Sequence, residues 1–346
     1  MTAMASQKKH IHANIAVFVP HNGCPHTCSF CNQRTISGHT AQPSPREVAE
    51  ILESDLERLQ SKGGSHEGRE LAFFGGSFTA IDRDYMISLL AAAQPYIGKS
   101  ISGIRCSTRP DCIDDDILDI LMAYGVTAIE LGAQSMDDRV LEFNHRGHTA
   151  AQVEQASERI RSRGIELGLQ MMTGLYGDTD EGARITAQRL AELNPATVRI
   201  YPTVVLEGTE LGRLFSSGEY VPQTLGQAVE LCADLLEFFE EKGIRVIRLG
   251  LHASPDVEQS YLAGAYHPAL RELAEGRIFL RRMTERVNND PQITGFGVNP
   301  RDLSKALGQH RANLEELRRY NPSLRIIASG DAQAGEIRPL YAEENK

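Results

Sequence analysis

Seven short apolar runs punctuate this chain, and each is followed by a stretch with helical spacing. The runs are 15–20 (IAVFVP), 71–76 (LAFFGG), 104–110 (IRCSTRP), 128–135 (AIELGAQS), 167–174 (LGLQMMTG), 198–206 (VRIYPTVVL) and 245–251 (RVIRLGL). Near-continuous apolar strands alternating with amphipathic helices predict a parallel sheet covered by its crossover helices. Helices are expected at 82–94, 115–124, 149–163, 180–193 and 224–242, with one more opening at Ser44. There Ser44 is an N-cap, Pro45 takes the first helical position and Glu47 completes a capping box. Gly125, Gly164 and Gly243 each follow a last helical turn, where a left-handed cap favours glycine. Polar and glycine-rich segments recur at the strands' C-terminal ends, which suits a partial (β/α)6-type barrel better than one crevice in an open sheet.

The last ninety or so residues break this period, so a small α+β C-terminal domain is expected over 253–346, after a barrel at 14–252 and a flexible lead-in at 1–13. The lead-in is polar and no run approaches the ~20 apolar residues of a membrane span, which points to a cytoplasmic protein. A formal net charge of −10 argues against a broad, non-specific nucleic-acid surface.

Three of the six cysteines stand together in CPHTCSFCNQR, 24–34, as Cys24, Cys28 and Cys31. A long chain without a secretion signal is a poor host for a disulfide framework, so the cluster reads as a metal site. Cys106, Cys112 and Cys232 read as ordinary thiols. Zinc would need a fourth ligand, which His21 or His26 could supply. A 4Fe-4S cluster held by three thiolates leaves its fourth iron open, as a catalytic metal requires. Phe30, just before the third cysteine, would shield it from water.

The C-x3-C-x2-C spacing with an aromatic before the last cysteine resembles the radical S-adenosylmethionine (SAM) superfamily. That resemblance implies a barrel of the radical SAM type with one 4Fe-4S cluster on Cys24, Cys28 and Cys31. It further implies SAM on the open iron, cleaved by one electron to a 5′-deoxyadenosyl radical that takes hydrogen from a substrate. An electron donor such as flavodoxin or ferredoxin is implied with it. FFGGSFT (73–79) resembles the family's loop beside the SAM amino group and makes Gly75, Gly76 and Ser77 cofactor candidates, although Ser77 stands where many members carry Glu. GAQSMDDRVLEFNHRGHT (132–149) suggests Gln134 and Ser135 for the ribose and Arg146 for the SAM carboxylate. LQMMTGLYGDT (169–179) suggests Gln170 and Met171 near ribose and adenine, and Ser107 joins the cofactor candidates from STRPDCID (107–114). His145 and His148 read as loop histidines.

STRPDCID, ELGAQSMDDRVLEFNHRGHT and VRIYPTVVLEGTEL together resemble the radical SAM half of the catalytic subunit of Elongator, which modifies tRNA wobble uridine. The similarity runs from about residue 14 to 250. It implies an RNA substrate, in first place tRNA, with Arg199 and Tyr201 as substrate contacts. Two features depart from it. The gap between the first two cysteines is three, as in oxygen-independent coproporphyrinogen oxidases, and the tail is too short for an acetyltransferase domain of about 150 residues. Short bacterial Elongator-like radical SAM proteins are the nearest likeness. Residues 293–331 have the strand-helix-turn-helix-strand order of a KH fold, which clamps single-stranded RNA. Arg301, Lys305, Arg311, Arg318, Arg319 and Arg325 make 299–325 basic. A solvated charged cap on the barrel accounts for the same residues. Two further readings compete with RNA modification: a radical enzyme acting on a small molecule such as a tetrapyrrole precursor, and a non-catalytic iron–sulfur or zinc RNA-binding protein.

Overall fold

The structure is a computed structural model and describes residues 13–20, 24, 27–32 and 41–342. All but the last residue of the 1–13 lead-in lies outside the described residues, as do His21 and His26.

Seven strands form one parallel sheet: β1 (Ala13–Val19), β2 (Arg69–Gly75), β3 (Gly103–Thr108), β4 (Val126–Gln134), β5 (Glu166–Thr173), β6 (Thr197–Pro202) and, beyond a short β7 (Val204–Leu206), β8 (Arg245–Leu249). The sheet order is β1-β2-β3-β4-β5-β6-β8, so each crossover steps to the adjacent position and the sheet curls into a half-barrel. The run expected as one strand at 198–206 is split at Thr203. Side chains alternate across each strand. One set, including Leu71, Ile104, Ile129, Leu169, Met171 and Ile200, is buried in the core shared with the helices. The alternate set faces the concave lumen.

The capping box at Ser44 is formed: its Oγ accepts from Glu47 N–H at 3.2 Å, and its own N–H donates to Glu47 Oε2 at 2.6 Å. Gly125, Gly164 and Gly243 take φ of +75°, +73° and +71° at the ends of their helices. Short helices Asp138–Phe143 and Glu210–Ser216 add to those expected.

Past residue 252, a short strand β9 (Tyr261–Gly264) pairs antiparallel with β7, tying this stretch to the barrel rather than to the tail. The helix Leu270–Asn289 follows. Leu270, Ala274 and Ile278 lie in the barrel core. Phe279, Leu280, Met283 and Val287, one helical face further on, lie in a second core. That second core underlies a three-stranded sheet of β10 (Gly295–Val298), β11 (Arg325–Ala328) and β12 (Ile337–Leu340), with β11 parallel and β12 antiparallel to the central β10. Burying two large side chains on the barrel side and four on the other stabilises each by several kcal/mol, at about 1.5–3 kcal/mol per large apolar residue. Ion pairs line the helix against Leu225–Glu241: Arg277–Glu230 at 2.5 Å, Arg281–Asp234 at 2.5 Å and Arg282–Glu237 at 2.8 Å. Half-exposed as they are, they set register more than stability.

Between β10 and β11 stand two short helices, Leu303–Leu307 and Ala312–Leu317, joined through Gly308. The strand-helix-turn-helix-strand order expected here is present. Among the described residues no helix is long and apolar enough to cross a membrane.

Candidate active site at the mouth of the half-barrel

The cysteine loop follows β1 and sits at the C-terminal mouth of the sheet. Cys24 is exposed, Cys31 half-buried and Cys28 buried. Among the described residues no three His, Cys, Asp or Glu side chains converge as a metal-binding group. The loop is fixed from outside through Ser29, which is fully buried. Ser29 Oγ donates to Asn144 Oδ1 at 2.7 Å, Ser29 N–H donates to the Asn144 carbonyl at 3.2 Å, and the Ser29 carbonyl accepts from Leu211 N–H at 2.7 Å. Asn144 is itself held, its Nδ2 donating to the Val140 and Tyr176 carbonyls at 2.8 and 2.9 Å. Phe30 packs against two small apolar clusters, one with Met172 and Leu175 and one with Val205, Leu211 and Tyr220.

Two buried arginines face this loop. Arg146 Nη1 donates to Cys28 Sγ at 3.0 Å and Nη2 to the Gly132 carbonyl at 2.7 Å, while its buried Nε has no acceptor among the described residues. Arg109 is clamped by Asp111, with Nε and Nη2 each 2.9 Å from the carboxylate, and its buried Nη1 has no acceptor. Although Cys24 is exposed as a residue, the protein crowded around its sulfur desolvates the thiol and pushes it up, the neighbouring Cys28 adds to this, and the charges of Arg109 and Arg146 pull it down. Burial likewise pushes Cys112 up, with Asp111 adding and Arg109 opposing. Thiols of both segments and both guanidiniums therefore share one electrostatic neighbourhood. His148 closes the rim: Nε2 lies 3.2 Å from the Ala133 carbonyl and Nδ1 is buried without a partner. Burial, then the charge of Arg146, pushes its pKa down to about 4.

The glycine pair after β2 lies against the same mouth. Gly75 takes φ +120°, and a Cβ there would stand 2.5 Å from the Val19 carbonyl oxygen, so only glycine lets β1 and β2 close at this point. Gly76 N–H donates to that carbonyl at 3.0 Å. Ser77 is fully buried and inward-tied: its Oγ is 2.8 Å from Thr108 Oγ1 and accepts from Arg109 N–H at 3.2 Å. Its hydroxyl positions Arg109 and is spent on that.

Gln134 has φ +66° beside a bulge against β5, and its Oε1 accepts from Gln170 Nε2 at 3.2 Å. The structure thus brings Gln134, Gln170 and Arg146 to the mouth. It does not bring Ser135 or Met171. Ser135 Oγ lies 3.4 Å from Thr186 Oγ1 and accepts from Asp137 N–H at 3.1 Å, and Met171 is fully buried in the helix-facing core. With Gln170 facing inward, strand alternation sends Met171 outward.

Deeper in the lumen a charged network spans five strands. Arg105 meets Glu70 at 2.8 Å, Glu130 at 3.3 Å and Glu166 at 2.8 Å. Arg199 meets Glu130 through Nε at 2.6 Å and Nη2 at 2.8 Å, and its guanidinium stacks 4.9 Å from the Phe74 ring centroid. Tyr201 OH accepts from Arg199 Nη1 at 3.5 Å, and Ser107 Oγ is 3.4 Å from Glu130 Oε2. Arg199, expected to meet substrate, is engaged on Glu130. Sequence reading passed over Arg109, Glu130, Ser29 and Asn144. For Arg109 a signal existed in Arg-Pro-Asp at 109–111, where Pro110 opens a tight 3-10 turn that returns the carboxylate to the guanidinium.

Residues 18–190 match the sequence pattern of the Radical SAM superfamily, and 195–279 that of the Radical_SAM C-terminal domain. The chain is 31% identical over 226 residues to an uncharacterised Methanocaldococcus jannaschii protein, covering 62% of this chain and 68% of that one. It is 28% identical over 258 residues to a tRNA uridine(34) acetyltransferase of the same organism, covering 63% of this chain and 47% of the relative. To human Elongator complex protein 3 it is 31% identical over 247 residues, covering 64% and 44%. The chain thus spans less than half the length of the last two. Among solved structures, an N-terminally shortened Elp3 of Methanocaldococcus infernus superposes with a TM-score of 0.59 at 21% identity, over 79% of this chain and 63% of the other, which shows a shared fold.

Proposed function

Because the chain belongs to the radical SAM superfamily of enzymes, we propose that it holds a 4Fe-4S cluster on Cys24, Cys28 and Cys31 and modifies RNA, in first place tRNA. The observation that carries the site is the incomplete hydrogen bonding at the mouth. Arg146 Nε and Arg109 Nη1 are buried N–H groups with no acceptor among the described residues, beside a thiol that already receives a guanidinium. Leaving such groups unpaired costs roughly 1–3 kcal/mol each, and more when charged. The three thiols do not converge on a single ion among the described residues, but their type and spacing, with the unpaired N–H groups beside them, suit a multi-iron cluster with a carboxylate-bearing ligand. Held by Cys24, Cys28 and Cys31 with SAM beside Arg146, such a cluster would supply one-electron reductive chemistry that generates a hydrogen-abstracting radical from SAM.

The chain's own residues do the rest. Cys24, Cys28 and Cys31 offer thiolates, and Ser29, Asn144 and Phe30 hold their loop in place and wall off water. Arg146 and Arg109 offer their free N–H groups to a carboxylate. Gln134 and Gln170 offer amides to a ribose, and the Gly75–Gly76 turn, closed onto the Val19 carbonyl, sets the edge of the mouth beside the cofactor. Tyr201, half-buried in the lumen, keeps its hydroxyl proton to offer a substrate.

For RNA, support comes from the tRNA-directed names of the relatives and from the basic tail. Arg301, Arg311 and Arg319 are exposed there, whereas Lys305 is paired with Glu275 at 2.7 Å and Arg318 donates to the Leu324 carbonyl at 3.1 Å. Anaerobic reconstitution with iron and sulfide, then dithionite and SAM, is expected to yield 5′-deoxyadenosine from the native chain and none from Cys28→Ala. Equal yields from the two would overturn the enzyme reading. Arg311→Glu with Arg319→Glu is expected to weaken tRNA binding and to lower the salt slope by about 1 per charge removed. Absence of tRNA binding at low salt removes the RNA half of the proposal.

A further inference from the structure

Three charged groups surround the loop, and they are not equivalent. Arg146 is buried and has no carboxylate partner among the described residues: one N–H is on Cys28 Sγ at 3.0 Å and another on a backbone carbonyl. Its positive charge is therefore uncompensated and, being out of water, little screened. Arg109 is buried too, and its charge reaches the Cys28 and Cys112 thiols. Asp111 lies on Arg109 with two bonds of 2.9 Å and offsets much of that charge. Hydrogen bonds to sulfur and local net charge are the levers by which a protein sets an iron–sulfur potential.

We infer that Arg146, together with Arg109 under the restraint of Asp111, sets the reduction potential of the cluster at Cys28. The inference rests on the reading that this loop holds a four-iron cluster. Reduction adds one electron from a low-potential one-electron donor. No bond is made or broken, and one negative charge is added at the sulfurs that Arg146 faces. A guanidinium there favours the reduced form and raises the potential. Arg146→Gln keeps an amide donor and removes the charge, so the potential shifts negative. Asp111→Asn keeps the shape and releases the charge of Arg109, so the potential shifts positive. A merely structural role would show as lost iron in both variants and would not produce opposite shifts.

The test is a dithionite titration of the full reconstituted chain, without SAM or RNA, followed by electron paramagnetic resonance, with iron and sulfide measured per chain. The expected order of midpoints is Asp111→Asn above the native chain and Arg146→Gln below it. Either variant matching the native midpoint with a full iron complement overturns the inference. If Arg146→Gln does not retain iron, Asp111→Asn decides, and a midpoint at or below native overturns it. A native chain that holds no four-iron cluster overturns the functional reading itself, an outcome distinct from unshifted potentials.

Discussion

Two pairs of arginines divide the half-barrel, three of them buried and Arg199 half-buried. In the lumen, Arg105 and Arg199 spend their guanidiniums on Glu70, Glu130 and Glu166. At the mouth, Arg109 and Arg146 each keep a buried N–H with no acceptor among the described residues; Arg199 Nε also lacks an aligned acceptor, although it lies 2.6 Å from Glu130. Buried charge is tolerated where opposite charge and hydrogen bonds compensate it, and it is costly where they do not. In the lumen the fold itself supplies the opposing carboxylates, whereas at the mouth, among the described residues, Arg146 meets a thiol and a carbonyl and no carboxylate.

That contrast can be broken most forcefully in the lumen. Glu130→Gln leaves Arg199 without its carboxylate and Arg105 with one fewer. The expected loss is about 3–5 kcal/mol, read as a lower denaturant midpoint, with iron per folded chain unchanged. An unchanged midpoint would mean the network is not self-sufficient.

The mouth responds next, through pH. Burial, then the neighbouring charge of Arg146, holds His148 near a pKa of about 4 against an ordinary 6.5, with Asp111 and Arg109 also in reach. Because the folded value is the lower one, its contribution is fully present above pH 6.5. It is lost as the pH falls toward 4, up to about 3 kcal/mol. His148→Gln is expected to flatten that part of the stability curve. Identical slopes in both proteins would remove His148 from the account.

The smallest effect sharpens how the mouth is held. Asn144→Ala deletes the bond to Ser29 Oγ and two bonds to carbonyls, at about 1–3 kcal/mol. Since Ser29 lies inside the cysteine loop, iron retained after reconstitution and gel filtration is expected to fall with it. Native-like retention would show the loop is held by other contacts.

Much of this architecture is legible in the chain. The seven apolar runs became the seven parallel strands because each is buried on the helix side and only two-residue alternation was needed to place it. The helices Asp138–Phe143 and Glu210–Ser216 were not legible, since six or seven residues show too few turns for periodicity to register. At the site, motif reading placed Gln134 and Gln170 with Ser135 and Met171, yet the strand turns alternate residues to opposite faces. Gln134 adds a left-handed backbone at a bulge, which a non-glycine residue does not announce. The turn-rich stretch after residue 252 reads as a divide, but β9 inside it finds β7, a long-range pairing that local composition does not encode.

The helix Leu270–Asn289 works as a shared spar. Its first half is a wall of the barrel core and its second half the floor of the small sheet. Neither unit can fray at this helix without stripping apolar surface from the other, so their local stabilities are coupled through one continuous backbone. A load applied to the small sheet, by a bound macromolecule or by heat, is felt in the wall of the barrel whose mouth carries the cysteine loop.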